Sequence, residues 1–145
     1  MTMTHIIHPT PTGVAITTPT GELPIEEVAA QVAPDGIYAI VTADAIPTDR
    51  TFRGAWSYSP DGIEIDLDRA KAIGHDIRRR RRADELAPHD RVISLRIPGA
   101  SADQAEAARR EIRTRYNAMQ DAIDSAASVE DLQRLLSPQN ALGHT

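Results

Sequence analysis

The sequence contains no cysteine, so it can form neither a disulfide framework nor a thiolate metal site or nucleophile. Aromatic residues make up only 3% of its 145 residues, and Phe52 and Trp56 are the single Phe and Trp. The apolar 41% is therefore mainly aliphatic, and its burial contributes about 0.8 kcal/mol per CH2 group. Such a core is thin, and we expect a partner protein or identical copies of the chain to complete part of it.

Long hydrophobic runs are also missing. No segment approaches the roughly 18 apolar residues that predict a membrane-spanning helix. The first residues, Met1 to His5, have neither the basic nor the apolar region of a signal peptide. The sequence therefore predicts a soluble protein of the cytoplasm that does not bind a membrane.

The first third of the chain predicts a small, mostly antiparallel sheet with one short helix. Short β-branched runs are separated by Pro and Gly, which is typical of strands joined by turns. The predicted strands are residues 5–8, 14–18, 37–42, 52–58 and 63–65, and the predicted helix is 24–32. The run from Ile37 to Thr42 is nearly continuously apolar, which favours a central position in the sheet.

From Asp66 onward the apolar residues recur at helical spacing. Asp66 can cap the first long helix, in which Pro88 predicts a kink or a new segment. Residues 91–97 fit a helix or a strand equally well. Capping-box patterns at Ser101 and Ser128 open a second long helix and a short one. The apolar stripes of these helices are Leu67, Ala70, Ile73, Ile77; Ala105, Ala108, Ile112, Tyr116, Met119, Ile123; and Val129, Leu132, Leu135, Leu136.

The predicted fold class is α+β. Residues 1–65 form a small β-rich domain, and residues 66–137 form an antiparallel pair of long helices followed by a short helix. The short connection at Pro98-Gly99 favours the antiparallel arrangement. The last residues, 138–145, are expected to be a loose tail.

No pattern in the sequence predicts catalysis, a cofactor or a metal. The five histidines are scattered, and His5 and His8 would point to opposite faces of one strand. Glu64, Asp66 and Asp68 could form a catalytic dyad, but helix capping is the simpler interpretation. There is no nucleophile elbow and no phosphate-binding glycine motif. We therefore expect a protein that is not an enzyme.

The most prominent local feature is a run of five arginines, Arg78, Arg79, Arg80, Arg81 and Arg82. It could bind phosphate or an acidic partner, or it could be a solvated face whose arginines pair with nearby acids. No aromatic residues accompany the run to stack on bases, and the formal net charge is −5. We therefore interpret Arg78–Arg82 as a protein interface and expect no nucleic-acid binding.

The segment from Pro47 to Trp56 reads Pro-Thr-Asp-Arg-Thr-Phe-Arg-Gly-Ala-Trp. Phe52 and Trp56 are predicted to anchor the junction of the sheet and the helices. Arg50 or Arg53 would stack on a ring or pair with an acid.

This segment resembles the Pro-x-Asp-Arg-Thr-Phe-Arg-x-Ala-Trp motif of small structural proteins from tailed bacteriophages and prophages. The resemblance extends over residues 20–29, 38–41, 46–56, 65–67 and 70–76, and more loosely over Arg82, Leu86, Asp90 and 127–132, which together span most of the chain. The chain departs from the family pattern at Arg78–Arg82, where Ala usually interrupts the basic residues, and at Pro88. These departures suggest that it has a partner surface of its own.

The resemblance implies a module of the phage virion, associated with the tail or its adaptor or fibre region, and no catalytic activity. The expected partners are other virion proteins and further copies of the chain, in a homo-oligomer or symmetric ring. The expected contact surfaces are Arg78–Arg82 and the Ala-rich face of residues 105–123. Decoration of the capsid is a variant of this function. The alternatives are an assembly chaperone for a tail fibre, absent from the mature particle, and a small nucleic-acid-binding protein that uses Arg78–Arg82.

Overall fold

The computed structural model describes residues 3–137 of the chain. The predicted tail, 138–145, lies outside this range. The elements run in the order β1 (Thr4–Thr10), β2 (Gly13–Thr17), α1 (Ile25–Val32), β3 (Ala39–Thr42), β4 (Trp56–Ser59), β5 (Gly62–Ile65), α2 (Leu67–Leu95), α3 (Ala102–Ser125) and α4 (Val129–Leu135). The predicted α+β fold class is confirmed. The chain divides into two compact units, Met1–Ala70 and Lys71–Thr145.

The first unit contains two antiparallel sheets rather than the single sheet expected. One has the strand order β2-β1-β3, and the other is the hairpin of β4 and β5. The prediction that residues 37–42 form a central strand is wrong, because within residues 3–137 β3 pairs with β1 alone and lies at an edge. The central strand is β1, whose Ile6 and Ile7 are fully buried. The polar residues and prolines around these two isoleucines conceal this position in the sequence.

Residues 52–58 were predicted as one strand, but the strand begins only at Trp56. A short 3-10 helix occupies Arg53–Ala55, and the backbone N–H of Ala55 donates to the carbonyl of Phe52 at 2.8 Å. Phe52 is only 1% exposed although it lies in a turn. Burial of its ring therefore depends on the turn that precedes β4 and not on the pleat of a strand.

The long helix α2 is continuous from Leu67 to Leu95, with Pro88 inside it. The expectation that Pro88 starts a new segment is therefore wrong, and residues 91–95 are helical. Proline removes the hydrogen bond to the carbonyl four residues earlier, which belongs to Asp84. Asp84 and Pro88 are both exposed, so water can hydrate that carbonyl.

The second unit is an antiparallel helix pair with α4 against it. Contacts join Lys71 and His75 near the start of α2 to Asp124 near the end of α3, and Glu85 farther along α2 to Arg115. The predicted caps are present, since the hydroxyl of Ser101 accepts from the Gln104 N–H and that of Ser128 from the Asp131 N–H. The buried apolar residues include Ala105, Ile112, Tyr116, Ile123, Leu132 and Leu136.

Candidate functional site

The motif residues Asp49 and Thr51 shape the loop that leads into β4. One carboxylate oxygen of Asp49 accepts hydrogen bonds from the backbone N–H of Thr51 at 2.9 Å and from its hydroxyl at 2.6 Å. An aspartate that binds the backbone two residues later stabilises a turn in this way. Asp49, the acidic residue of the motif, therefore stabilises the turn before β4.

The two large aromatic residues of the motif lie in the core of the first unit. Phe52 and Trp56 are each 1% exposed. The guanidinium carbon of Arg53 lies 6.0 Å from the centroid of the Trp56 ring, at the outer limit of a cation–π contact. The aromatic pair thus forms part of the packed interior, and Arg53 lies over one of its rings.

The carbonyls of the motif hold the start of α2. The side chain of Arg69 donates to the carbonyl of Gly54 at 2.6 Å, and the backbone N–H of Asp66 donates to that of Ala55 at 2.9 Å. The carboxylate of Asp66 accepts from the Arg69 N–H at 3.1 Å, which is the cap that the sequence predicts. Asp66 therefore caps the start of α2.

Arg50 is the charged motif residue in the wall of a surface cleft. The cleft has a volume of about 310 Å³, with His5, Ile16, Thr18, Ala43, Ile46, Pro47, Thr48 and Arg50 in its wall. In this wall the ring of His5 hydrogen-bonds to the Thr18 hydroxyl over 2.9 Å. Arg50 is exposed, unlike Phe52 and Trp56. The motif therefore combines buried apolar residues with two exposed cationic residues, Arg50 and Arg53.

The run Arg78–Arg82 does not form one surface. Arg79 and Arg80 are exposed, and Arg79 pairs with Asp76 at 2.9 Å. Arg78 is only 7% exposed. Consecutive residues of a helix point in directions about 100° apart, so a run of five necessarily places some members inward.

Two inward members of the run bind groups of the second unit. Burial lowers the pKa of the Arg78 guanidinium, Arg79 and Arg82 lower it further, and Asp124 raises it. Arg81 donates to the carbonyl of Leu136 at 2.9 Å, next to the C-terminal end of α4. A cation at this end of a helix is favourable because the unpaired carbonyls there carry partial negative charge.

A histidine–carboxylate network joins α2 to α3, and the sequence did not predict it. Nε2 of His75 lies 2.7 Å from a carboxylate oxygen of Asp124, and Nε of Arg78 donates to Nδ1 of His75 at 3.3 Å. Lys71 donates to the backbone carbonyl of Asp124 at 3.0 Å. Because Nε of Arg78 can only donate, Nδ1 of His75 accepts and Nε2 donates to Asp124. The network therefore fixes the last turn of α3.

A second network lies farther along the helix pair. The guanidinium of Arg115 binds both carboxylate oxygens of Glu85, at 2.8 and 3.3 Å, and the buried hydroxyl of Tyr116 donates to the same carboxylate. The periodicity correctly assigns Tyr116 to the apolar face of α3. The periodicity does not indicate that Glu85 accepts the hydrogen bond of the Tyr116 hydroxyl, because the two residues are 31 positions apart.

The Ala-rich face of residues 105–123 is expected to contact a partner, and this stays a prediction, because Ala107 and Ala118 are exposed. Ala105, Ile112, Tyr116 and Ile123 are all buried. Gly74 of α2 lies close to Ile123 and Leu136. The large apolar side chains of α3 therefore pack within the chain.

Residues 3–137 contain no group of three or more His, Asp or Glu side chains that could hold a metal ion. Over the same range, none of the helices combines the length and hydropathy that a membrane span requires. Comparison with known proteins finds no family model, no curated protein and no solved structure that matches the chain.

Proposed function

We propose that this chain is a non-enzymatic structural component of a tailed phage virion, in its tail or the adjoining adaptor or fibre region. It would be made in the bacterial host cytoplasm and act by binding other virion proteins and further copies of itself. The motif Pro47 to Trp56 supports the proposal through its resemblance to phage structural proteins. The roles of its residues are in keeping with it, since Asp49 forms a turn and Phe52 and Trp56 pack in the core.

The observation that carries the proposal is the exposure of large apolar side chains in the first unit. Ile37, just before β3, is 51% exposed, and Ile40, within β3, is 40% exposed. Met3 and Leu23 are exposed as well. Exposed apolar side chains lose contact with water, which is favourable, when another protein covers them. Because Ile37 and Ile40 adjoin an unpaired strand edge, they favour association with another protein.

In the second unit, the exposed arginines are the candidate contact residues. Arg79 and Arg80 are exposed, and Arg82 is half-buried. Arginine is enriched at protein interfaces, where its planar guanidinium binds carboxylates of a partner in a bidentate manner. These residues would select a partner with acidic side chains.

Mass spectrometry of purified particles tests the proposal. Particles from a strain that encodes the chain are banded on a density gradient, and matched fractions from a strain with the gene deleted serve as control. We expect peptides of this chain in the particle band at a constant ratio to known tail proteins. Its presence in the lysate but absence from the particles would contradict the proposal and favour the assembly chaperone.

A further inference from the structure

The edge strand β3 has backbone groups on one side that pair with no strand in the described part of the chain. It pairs with β1 on one side, with Ile40 opposite Ile6 and Val41 opposite His5. On its other side, no backbone hydrogen bond joins residues 39–42 to any other described residue. The other edge strand of this sheet, β2, has β4 beside it. The outer side of β3 is therefore the open edge of the sheet.

This edge lacks the features that normally prevent strands of different molecules from pairing. Such features are charged side chains, proline and bulges on the edge strand. The segment Ile37 to Thr42 reads Ile-Tyr-Ala-Ile-Val-Thr, with no charge, proline or glycine. Its residues have high β-propensity apart from Ala39, and its exposed Ile40 presents an apolar side chain. An edge of this kind pairs readily with another strand.

We propose that β3 pairs with β3 of a second copy of this chain, antiparallel and around a two-fold axis. The inference rests on the proposed function, because it names the surface through which the chain would assemble with itself. Strand pairing satisfies the open backbone groups of both copies at once and joins the two three-stranded sheets into one. Isologous pairing of this type closes at the dimer because each copy uses the same edge.

The sequence around β3 determines which register suits this pairing. Opposed residues of an antiparallel pair have their side chains on the same face of the sheet. A two-fold axis perpendicular to the sheet keeps every residue on its own face, so opposed residues are an even number of positions apart in the sequence. One residue therefore lies on the axis, opposite its own copy. With Ile40 at the axis, the exposed isoleucines face each other, Ala39 faces Val41, and Tyr38 faces Thr42.

The charges at the two ends of the segment agree with the register centred on Ile40. Asp44 would lie opposite Gly36, and Asp35 opposite Ala45. The two acidic residues therefore do not face each other, and like charges directly opposite would destabilise a strand pair. In the register centred on Val41, Asp44 would face Tyr38, and Ile40 would face the hydroxyl of Thr42. The first register buries more apolar surface and is the one we assign.

Size-exclusion chromatography with light scattering, applied to the purified full chain, measures the mass directly. We expect a dimer, at twice the 15.8 kDa of the chain. The variant Ile40→Lys places two ammonium groups opposite each other and should be a monomer. The control Leu95→Lys changes a residue that is 65% exposed in the second unit and should remain a dimer. Circular dichroism and the fluorescence of Trp56 check that each variant is folded.

A cross-linking variant keeps the test decisive if Ile40→Lys does not fold. The chain has no cysteine, so Ile40→Cys introduces one thiol at the axis, where opposed Cα atoms of an antiparallel pair are about 4.5–5.5 Å apart. This spacing allows a disulfide, and we expect cross-linking at least tenfold faster than for Leu95→Cys. A monomeric wild-type chain, or equal cross-linking of the two variants, would overturn the pairing. Absence from virions would overturn the proposed function separately, whatever the mass in solution.

Discussion

Nε2 of His75 in α2 lies 2.7 Å from a carboxylate oxygen of Asp124 in the last turn of α3. A carboxylate at this end of a helix is unfavourable by itself, because the free carbonyls there carry partial negative charge. His75 and Lys71 offset this by donating to the side chain and to the backbone carbonyl of Asp124. Lys71 and His75 therefore connect the N-terminal part of α2 to the last turn of α3.

We predict that Asp124→Ala lowers the free energy of unfolding by about 1 kcal/mol, the usual net value of one hydrogen bond. The matched control is Asp121→Ala, which removes the same charge about one turn earlier from an exposed side chain. Its effect should be close to zero or slightly stabilising. Urea denaturation followed by circular dichroism measures both variants. Equal effects would mean that the His75 contact contributes nothing.

The Glu85 carboxylate gives a second prediction, for the middle of the helix pair. Tyr116 is 2% exposed and its hydroxyl donates to Glu85. Hydrogen bonds to charged groups contribute about 1.5–3 kcal/mol, so Tyr116→Phe should destabilise the fold by this order. The control Tyr58→Phe removes the hydroxyl of a half-buried tyrosine in β4 and should cost less than about 0.5 kcal/mol.

A double-mutant cycle separates the Tyr116–Glu85 interaction from other effects of the two substitutions. Glu85→Gln in the Tyr116→Phe background should cost less than in the wild-type chain, with a coupling of about 0.5–3 kcal/mol between residues in contact. Strict additivity would show that the hydroxyl and the carboxylate do not interact in solution.

The local parts of this fold follow from the sequence, because caps and amphipathic stripes depend on residues a few positions apart. Ser101, Ser128 and Asp66 are examples, and all three cap helices as their patterns predict. The position of β3 in the sheet does not follow from the sequence, because an apolar run is compatible with a central strand and with an edge strand. In the structure β3 is an edge strand, and its Ile40 is exposed.

The sites depend on long-range partners, which a single sequence does not reveal. His75 and Asp124 are 49 residues apart, and Arg81 and Leu136 are 55 apart. The Arg run supplies a cation on every side of α2, so its sequence cannot indicate which members turn inward. In contrast, Phe52 and Trp56 are recognisable in the sequence as its one Phe and one Trp, and both are buried. That they anchor the junction of the sheet and the helices stays a prediction.

The end of α2 gives a prediction from the backbone alone. Arg96 follows the last helical residue with φ at 49°, and it is the one non-glycine residue with positive φ in the described range. Glycine adopts this left-handed conformation without the penalty of about 1–2 kcal/mol that a Cβ atom brings. We expect Arg96→Gly to raise the midpoint of thermal unfolding. The control Arg91→Gly, inside the helix, should lower the stability by about 1 kcal/mol.

The division of the Arg run predicts unequal effects of alanine substitution. Arg78 is buried and donates to His75, so Arg78→Ala removes packing of its aliphatic stem as well as a hydrogen bond. We expect it to cost about 1–3 kcal/mol. Arg80 is exposed, and Arg80→Ala should change stability by less than about 0.5 kcal/mol. Chemical denaturation measures the free energy of unfolding of both variants. If all five arginines were solvated, the two substitutions would have equal effects.

The same division predicts weak or no binding of DNA. Each phosphate contact needs a free cation, and binding weakens with salt in proportion to the number of contacts. Arg78 is buried, Arg81 donates to Leu136 and Arg79 pairs with Asp76, while the whole chain has a net charge of −5. We therefore expect no retardation of duplex or single-stranded DNA at about 50 mM salt, where electrostatic binding is strong. Retardation that Arg80→Ala abolishes, with the fold intact by circular dichroism, would favour the nucleic-acid-binding alternative over a protein interface.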